Sequence, residues 1–231
     1  YQNGKYKDVL PISTPLQEET FYKLKEGLND YLLHINYTIN KNAYSYKLLS
    51  IINQSSSAEI ISFNYTSLKM LCKGELKIPC FHTHGCLSDN DKQSIILGFQ
   101  DDVDIDKSYC YMIKSHQPTY YASHIPDCLD DVDEVIFFGL SLGEVDYPYF
   151  SDFFKKQCVP NDVMNRKYIS FFTYDETSRQ DILYQLRMMN DKKTRYFFEY
   201  SNLNFFRTKD KMDNDKIEGF FQDLSYRIGL E

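Results

Sequence analysis

The chain has 231 residues and a mass of 27.4 kDa, and its charges sum to 26 − 33 = −7. That length fits one globular domain with room for a small satellite, and 42% apolar with 26% charged residues describes a chain with a core, not a disordered one. The acidic balance excludes broad binding to phosphate backbones, and no apolar run nears the roughly 18 residues of a membrane helix, so neither nucleic acid nor a membrane is expected as a partner.

A helix is predicted from Thr14-Pro15 through Leu16, Phe21, Leu24, Leu28, Leu32 and Ile35, spacings that keep one apolar stripe. A second covers Tyr44 to Asn53, and Ser55 to Ser57 form a turn. Residues 1–57 therefore read as a helical segment packed on, or inserted into, a main domain over 58–231. In that domain Ala58 to Phe63 is a buried strand, Ser67 to Leu71 a short helix, Cys80 to His84 a second strand and Ser94 to Gly98 a third. Residues 101–128 are polar and read as helices or a long loop. Glu134 to Gly139 is the clearest strand. Helix Tyr147 to Gln157, strand Tyr168 to Tyr174 and helix Ser178 to Met189 follow. Arg195 to Tyr200 is predicted as a last strand and Lys216 to Ile228 as a last helix. Strands that alternate with helices and are apolar on both faces imply an α/β fold: a Rossmann-like parallel sheet with helices on both faces.

Tyr and Phe total 20 + 17 = 37, which resembles a stacking surface. Yet Lys outnumbers Arg by 20 to 6, Asn reaches 14, and Ala is 3. AT-rich codons account for all of these, which indicates a bacterial or phage source. The six cysteines form no C-x-x-C pair, so free thiols in a reducing cytoplasm are expected.

In such sheets ligands bind at the carboxyl ends of the strands. Four polar segments fall there: Asn64-Tyr65-Thr66, His84-Gly85, Gly98, and Gly139-Leu140-Ser141. Each taken singly also fits an ordinary turn. Asn64 can hold a ribose hydroxyl or a water, or else form an Asx turn or helix cap with Thr66. The alternation C-x-H-x-H-x-C at 80–86 invites a metal, but same-face side chains on a strand lie about 6.6 Å apart. Four in a row cannot surround a zinc ion, and no metal is expected. His84 reads as a general base at the strand end, with Gly85 admitting a close substrate, and His82 as a packed core histidine. The Gly139–Ser141–Gly143 spacing can face a phosphate or ribose at the start of the next helix. It also matches the G-x-S-x-G elbow of α/β-hydrolases. That triad needs a later His, and the last here, His124, precedes Ser141.

F-N-Y-T at 63–66, H-x-H-G at 82–85, L-G-F at 97–99 and F-G-L-S-L-G-E-V-D-Y-P-Y-F at 138–150 together resemble the AbiH family of bacterial phage abortive-infection proteins. The resemblance covers about residues 58–190. That family is in turn similar to sirtuin-like NAD-binding domains. The resemblance implies NAD or a related nucleotide as substrate or ligand. Asn64 would orient the ribose or water, and His84 would act on a ribose hydroxyl. Thr66, Gly85, Gly98, Gly139, Ser141 and Asp146 would line the cofactor site. Family members open with a strand and a G-N-G-F-D-type loop. Here Gly4 and Gly27 stand alone and the chain begins at Tyr1, so the expectation is an N-terminally truncated sheet without its first strand and glycine loop. The cysteine zinc ribbon of sirtuins is also absent, which favours NAD cleavage over lysine deacylation. Three functions follow: a phage-defence NAD hydrolase, a non-catalytic nucleotide sensor, or a protein-interaction module. A phage protein as trigger and self-association are the partners such a role allows.

Overall fold

The computed structural model describes residues 14–35, 40–72, 75–88, 90–91, 94–118, 120, 124–159 and 166–230. Gly4, on which part of the truncation expectation rests, lies outside them. The chain divides into two compact units, one of residues 1–38, 62–71 and 82–121, the other of 39–61, 72–81 and 122–231. The two helices expected within 1–57 are shared out, the first helix to the first unit and the second helix to the second.

The first unit is built on α1, Thr14–Leu33. The apolar stripe read from the sequence is buried only in part: Phe21 is buried, and Leu28 and Leu32 are half-buried. Leu16 and Leu24 are exposed, while Phe21, Lys25 and Asn29 are buried at i, i+4, i+8. The polar members are tolerated because each finds partners. Lys25 Nζ donates to Gln117 Oε1 at 2.9 Å, and Gln117 Nε2 donates to the Leu97 carbonyl at 2.6 Å. Asn29 donates to the Ser88 carbonyl at 3.0 Å and accepts from the Ser88 N–H at 3.2 Å. Phe21 packs its ring 5.5 Å from Tyr111 in a 3₁₀ segment, Lys107–Met112. Specific hydrogen bonds therefore seat this helix together with the packing of Phe21.

The strands run β1 (Ile60–Ser62) and β2 (Cys80–His82), which pair, then β3 (Glu134–Phe138), β4 (Tyr168–Thr173) and β5 (Asn202–Arg207), which form a parallel sheet in that order. The helices after α1 are α2 (Tyr44–Ile52), α3 (Leu68–Leu71), α4 (His124–Asp131), α5 (Tyr147–Lys156), α6 (Glu176–Met189), α7 (Arg195–Tyr200) and α8 (Asn214–Arg227). The class is α/β with parallel, Rossmann-like strands, as the alternation predicts.

In the second unit the β3–β4–β5 register stacks phenylalanines across the strands. Phe137, Phe171 and Phe205 form one ladder, with ring centroids 4.8 and 5.1 Å apart. Phe138, Phe172 and Phe206 form the other, at 5.3 and 4.8 Å. Side chains alternate between faces along a strand, so the two ladders face opposite sides. Phe150 and Phe154 of α5 and Phe197 of α7 cover the first face. Leu48 of α2 and Ile217, Phe221 and Leu224 of α8 cover the second. Much of the phenylalanine surplus is core.

Two predicted strands differ. Arg195–Tyr200 is helix α7, and the last strand starts at Asn202. The run R-Y-F-F-E-Y is apolar enough for either state. Its i, i+4 pairs decide for a helix: Arg195 bonds Glu199, Tyr196 meets Tyr200 at 5.5 Å, and Phe197 is buried. Residues 94–98 make no extended strand. Ile95 forms one antiparallel bridge with Gly85, and Phe99 one parallel bridge with Ile113. Among the described residues, no helix is long and apolar enough to cross a membrane. All six cysteines are free thiols.

Candidate functional site

Asn64, Thr66, His84, Gly85 and Gly98 lie in the first unit, and Gly139, Ser141 and Asp146 in the second. In the first, backbone hydrogen bonds tie the segments after β1 and β2 together. Thr83 N–H donates to the Ser62 carbonyl at 2.9 Å, Leu87 N–H to that of Tyr65 at 2.8 Å, and Ile96 N–H to that of His84 at 2.7 Å. The Tyr65 hydroxyl donates to the Ile96 carbonyl at 3.2 Å. Asn64 is thereby exposed at the strand end, and Thr66 is half-buried two residues on.

Gly85 has φ +74°, and a Cβ there would stand 2.0 Å from the Ser94 carbonyl oxygen. Gly98 has φ +143°, and its Cβ would stand 1.9 Å from the Met112 carbonyl oxygen. Both positions require glycine because this chain's own backbone occupies the space.

His84 packs its ring edge-on to Phe63, centroids 5.6 Å apart. Its Nδ1 is buried with no hydrogen-bond partner among the described residues. Burial, and then the positive charge of Lys114, push its pKa down to about 4. The imidazole is therefore neutral near pH 7, with a lone pair available but of low basicity.

His82 is not the packed histidine of the sequence reading. Its Nδ1 meets the Asn64 carbonyl at 3.0 Å, and a carbonyl can only accept, so Nδ1 carries the proton. Its ring also hydrogen-bonds the Cys86 thiol. Burial raises the Cys86 pKa, but the hydrogen bond and charge of His82, and a hydrogen bond with Ser67, outweigh it and leave the thiol below its ordinary value. A thiol, an imidazole and a carbonyl that fixes the tautomer thus stand in line. The C-x-H-x-H-x-C alternation held the signal for this pair. The contrast with buried thiols is testable. Burial, joined at Cys128 by a hydrogen bond to Glu59, pushes Cys128 and Cys158 up to about 12. Iodoacetamide near neutral pH is expected to alkylate Cys86 well before those two, and His82→Ala to slow it severalfold, read by peptide mass spectrometry. Equal rates at Cys86 and Cys128 would refute the activation.

In the second unit, Gly139 follows β3 at φ +66°, its N–H donating to the Phe172 carbonyl at 3.1 Å. Ser141 is exposed on the turn. Leu142 follows at φ +52° with its side chain fully buried. A left-handed leucine costs of order 1 kcal/mol, which its burial offsets. Asp146 is buried, and its N–H donates to the Gly143 carbonyl at 2.8 Å, closing the 3₁₀ turn that leads into α5. Pro148 sits in the first turn of that helix, where its missing N–H costs nothing.

No curated protein and no solved structure matches the chain. A family model described as bacteriophage abortive infection AbiH matches residues 4–168. The match takes in the helical front as well as all four motifs, and it ends where β4 begins. That span is well over half of the sequence, and the chain belongs to the AbiH family of bacteriophage abortive infection proteins.

Proposed function

We propose that this chain acts in phage abortive infection by binding and hydrolysing NAD or a related nucleotide. Asn64 orients the ribose or the attacking water, and His84 accepts a proton from a ribose hydroxyl or from that water. The carrying observation is His84 itself: a neutral imidazole with a buried, unpartnered Nδ1, in the turn two residues past the end of β2. A buried polar atom without a partner is unfavourable, and a bound ligand group would satisfy it. Lys114 supplies a positive charge close enough to act on His84. An anionic nucleotide would offset that charge and raise the basicity of His84.

One observation favours a second reading, a nucleotide sensor that does not consume its ligand. A base whose conjugate acid has a pKa of about 4 accepts protons poorly near pH 7. NAD consumption by the full chain separates the two, with His84→Ala and Asn64→Ala measured alongside. Nicotinamide release that falls about a hundredfold or more in His84→Ala supports catalysis by this residue. In that case kcat/KM stays level down to about pH 5 and falls only as pH nears 4, because the base must be unprotonated. Thermal stabilisation by NAD or ADP-ribose without turnover supports the sensor. Neither turnover nor stabilisation refutes both.

A further inference from the structure

The second unit holds a cluster that neither the motifs nor the family assignment accounts for. His124 opens α4 and Cys128 follows one turn later, so both side chains share one face of that helix. Glu59, the residue before β1, comes to the same point. One ligand atom from each of the three lies within 4.8 Å of the others, and His124 Nε2 stands 3.7 Å from Glu59 Oε2. Cys128 is buried and the other two are half-buried. Phe81 of β2 packs its ring 4.3 Å from the His124 ring and holds its plane.

The geometry points to a zinc site formed by Glu59 Oε, His124 Nε2 and the Cys128 thiolate, with the fourth position open to water. An imidazole, a carboxylate and a thiolate are the zinc ligand types, and three protein ligands with one open position is the pattern of reactive zinc centres. Around a tetrahedral zinc ion, ligand atoms stand about 3.4–3.7 Å apart. The His124–Glu59 pair already has that spacing, and no separation needs to close by more than about 1 Å. The mixture of ligands disfavours magnesium and calcium, which take oxygen ligands. Binding replaces the thiol proton by the metal and releases that proton to solvent. A thiol that donates to Glu59 would also satisfy this cluster without metal, and the two cases differ in what they do with added cobalt.

The test uses the full chain, stripped of metal by a chelator and titrated with Co²⁺, a spectroscopic stand-in for zinc. One equivalent is expected to bind, with visible bands of tetrahedral intensity and a thiolate-to-cobalt charge-transfer band, both abolished by one equivalent of Zn²⁺. Cys128→Ser is expected to remove the charge-transfer band, and Cys158→Ser to leave it. Glu59→Gln and His124→Gln are expected to weaken binding by about a hundredfold or more, with unchanged far-ultraviolet circular dichroism in the metal-free state. If Cys128→Ser fails to fold, Glu59→Gln, which preserves shape, serves as the deciding variant. Failure to bind one equivalent, a band that survives Cys128→Ser, or affinity unchanged in Glu59→Gln overturns the site. None of these readouts depends on NAD turnover.

Discussion

Phe172→Ala is expected to lower the unfolding free energy by about 3–5 kcal/mol. Phe172 sits in the centre strand of the three-stranded sheet and is almost fully buried. Its ring stacks between Phe138 at 5.3 Å and Phe206 at 4.8 Å, and it meets Phe220 and Phe221 of α8 at 5.4 and 5.7 Å. Removing it forfeits the transfer energy of a whole aromatic side chain. It also leaves a cavity lined on three sides by rings that stacking and helix packing hold in place. The matched comparison is Phe138→Ala on the neighbouring edge strand, where the ring is 37% exposed. That change is expected to cost less than half as much. Guanidinium unfolding of both variants, with equal m-values, checks the pair. Equal losses would mean that the centre of the sheet is not the energetic core of this unit.

Asp213→Asn is expected to cost about 2–3 kcal/mol at neutral pH, with the loss disappearing in acid. Asp213 is buried and holds Arg207, the last residue of β5, through three hydrogen bonds. Arg207 Nε donates to Oδ2 at 2.8 Å, an Arg207 terminal nitrogen to Oδ1 at 3.1 Å, and the Arg207 backbone N–H to Oδ2 at 2.9 Å. The paired guanidinium lowers the Asp213 pKa to about 2, against an ordinary value of 3.8. At about 1.4 kcal/mol per pKa unit, that difference is worth roughly 2–3 kcal/mol. The sign follows from the direction. A carboxylate whose folded pKa is depressed stabilises the fold fully above its unfolded pKa of 3.8 and loses that contribution as pH falls towards 2. Wild type and Asp213→Asn should therefore differ most above pH 4 and converge below it in urea unfolding. A gap that stays constant from neutral pH to about pH 2 would show that the effect is shape and not charge. Removing the charge also leaves the Arg207 guanidinium without its buried partner, although Glu176 and Asp210 stand 3.2 Å away at the exposed side.

Strands β3 and β4 were legible in the chain as continuous apolar runs: E-V-I-F-F and Y-I-S-F-F-T emerge within a residue of where the pattern places them. Helices α5, α6 and α8 were legible for a related reason, since each sets its apolar face against that sheet at the helical period. The run at 195–200 was not, because aromatic residues suit either state and only contacts within the folded chain select one. The buried face of α1 was legible only in part, since no hydropathy pattern announces that Lys25 and Asn29 will find buried partners at Gln117 and Ser88.

The site divides in the same way. Asn64, His84 and Ser141 could be picked out as polar punctuation at strand ends, a local property of the sequence. The pKa of His84, the pairing of His82 with Cys86, and the meeting of Glu59 with His124 and Cys128 could not. These depend on residues brought together from distant positions: Lys114 beside His84, Asn64 beside His82, and Glu59 beside a helix that begins 65 positions later, at His124. Periodicity records which face of an element meets apolar surroundings, because water sorts side chains one element at a time. Acidity, tautomer and ligand geometry are set by what stands across the gap, and that is decided when the elements pack.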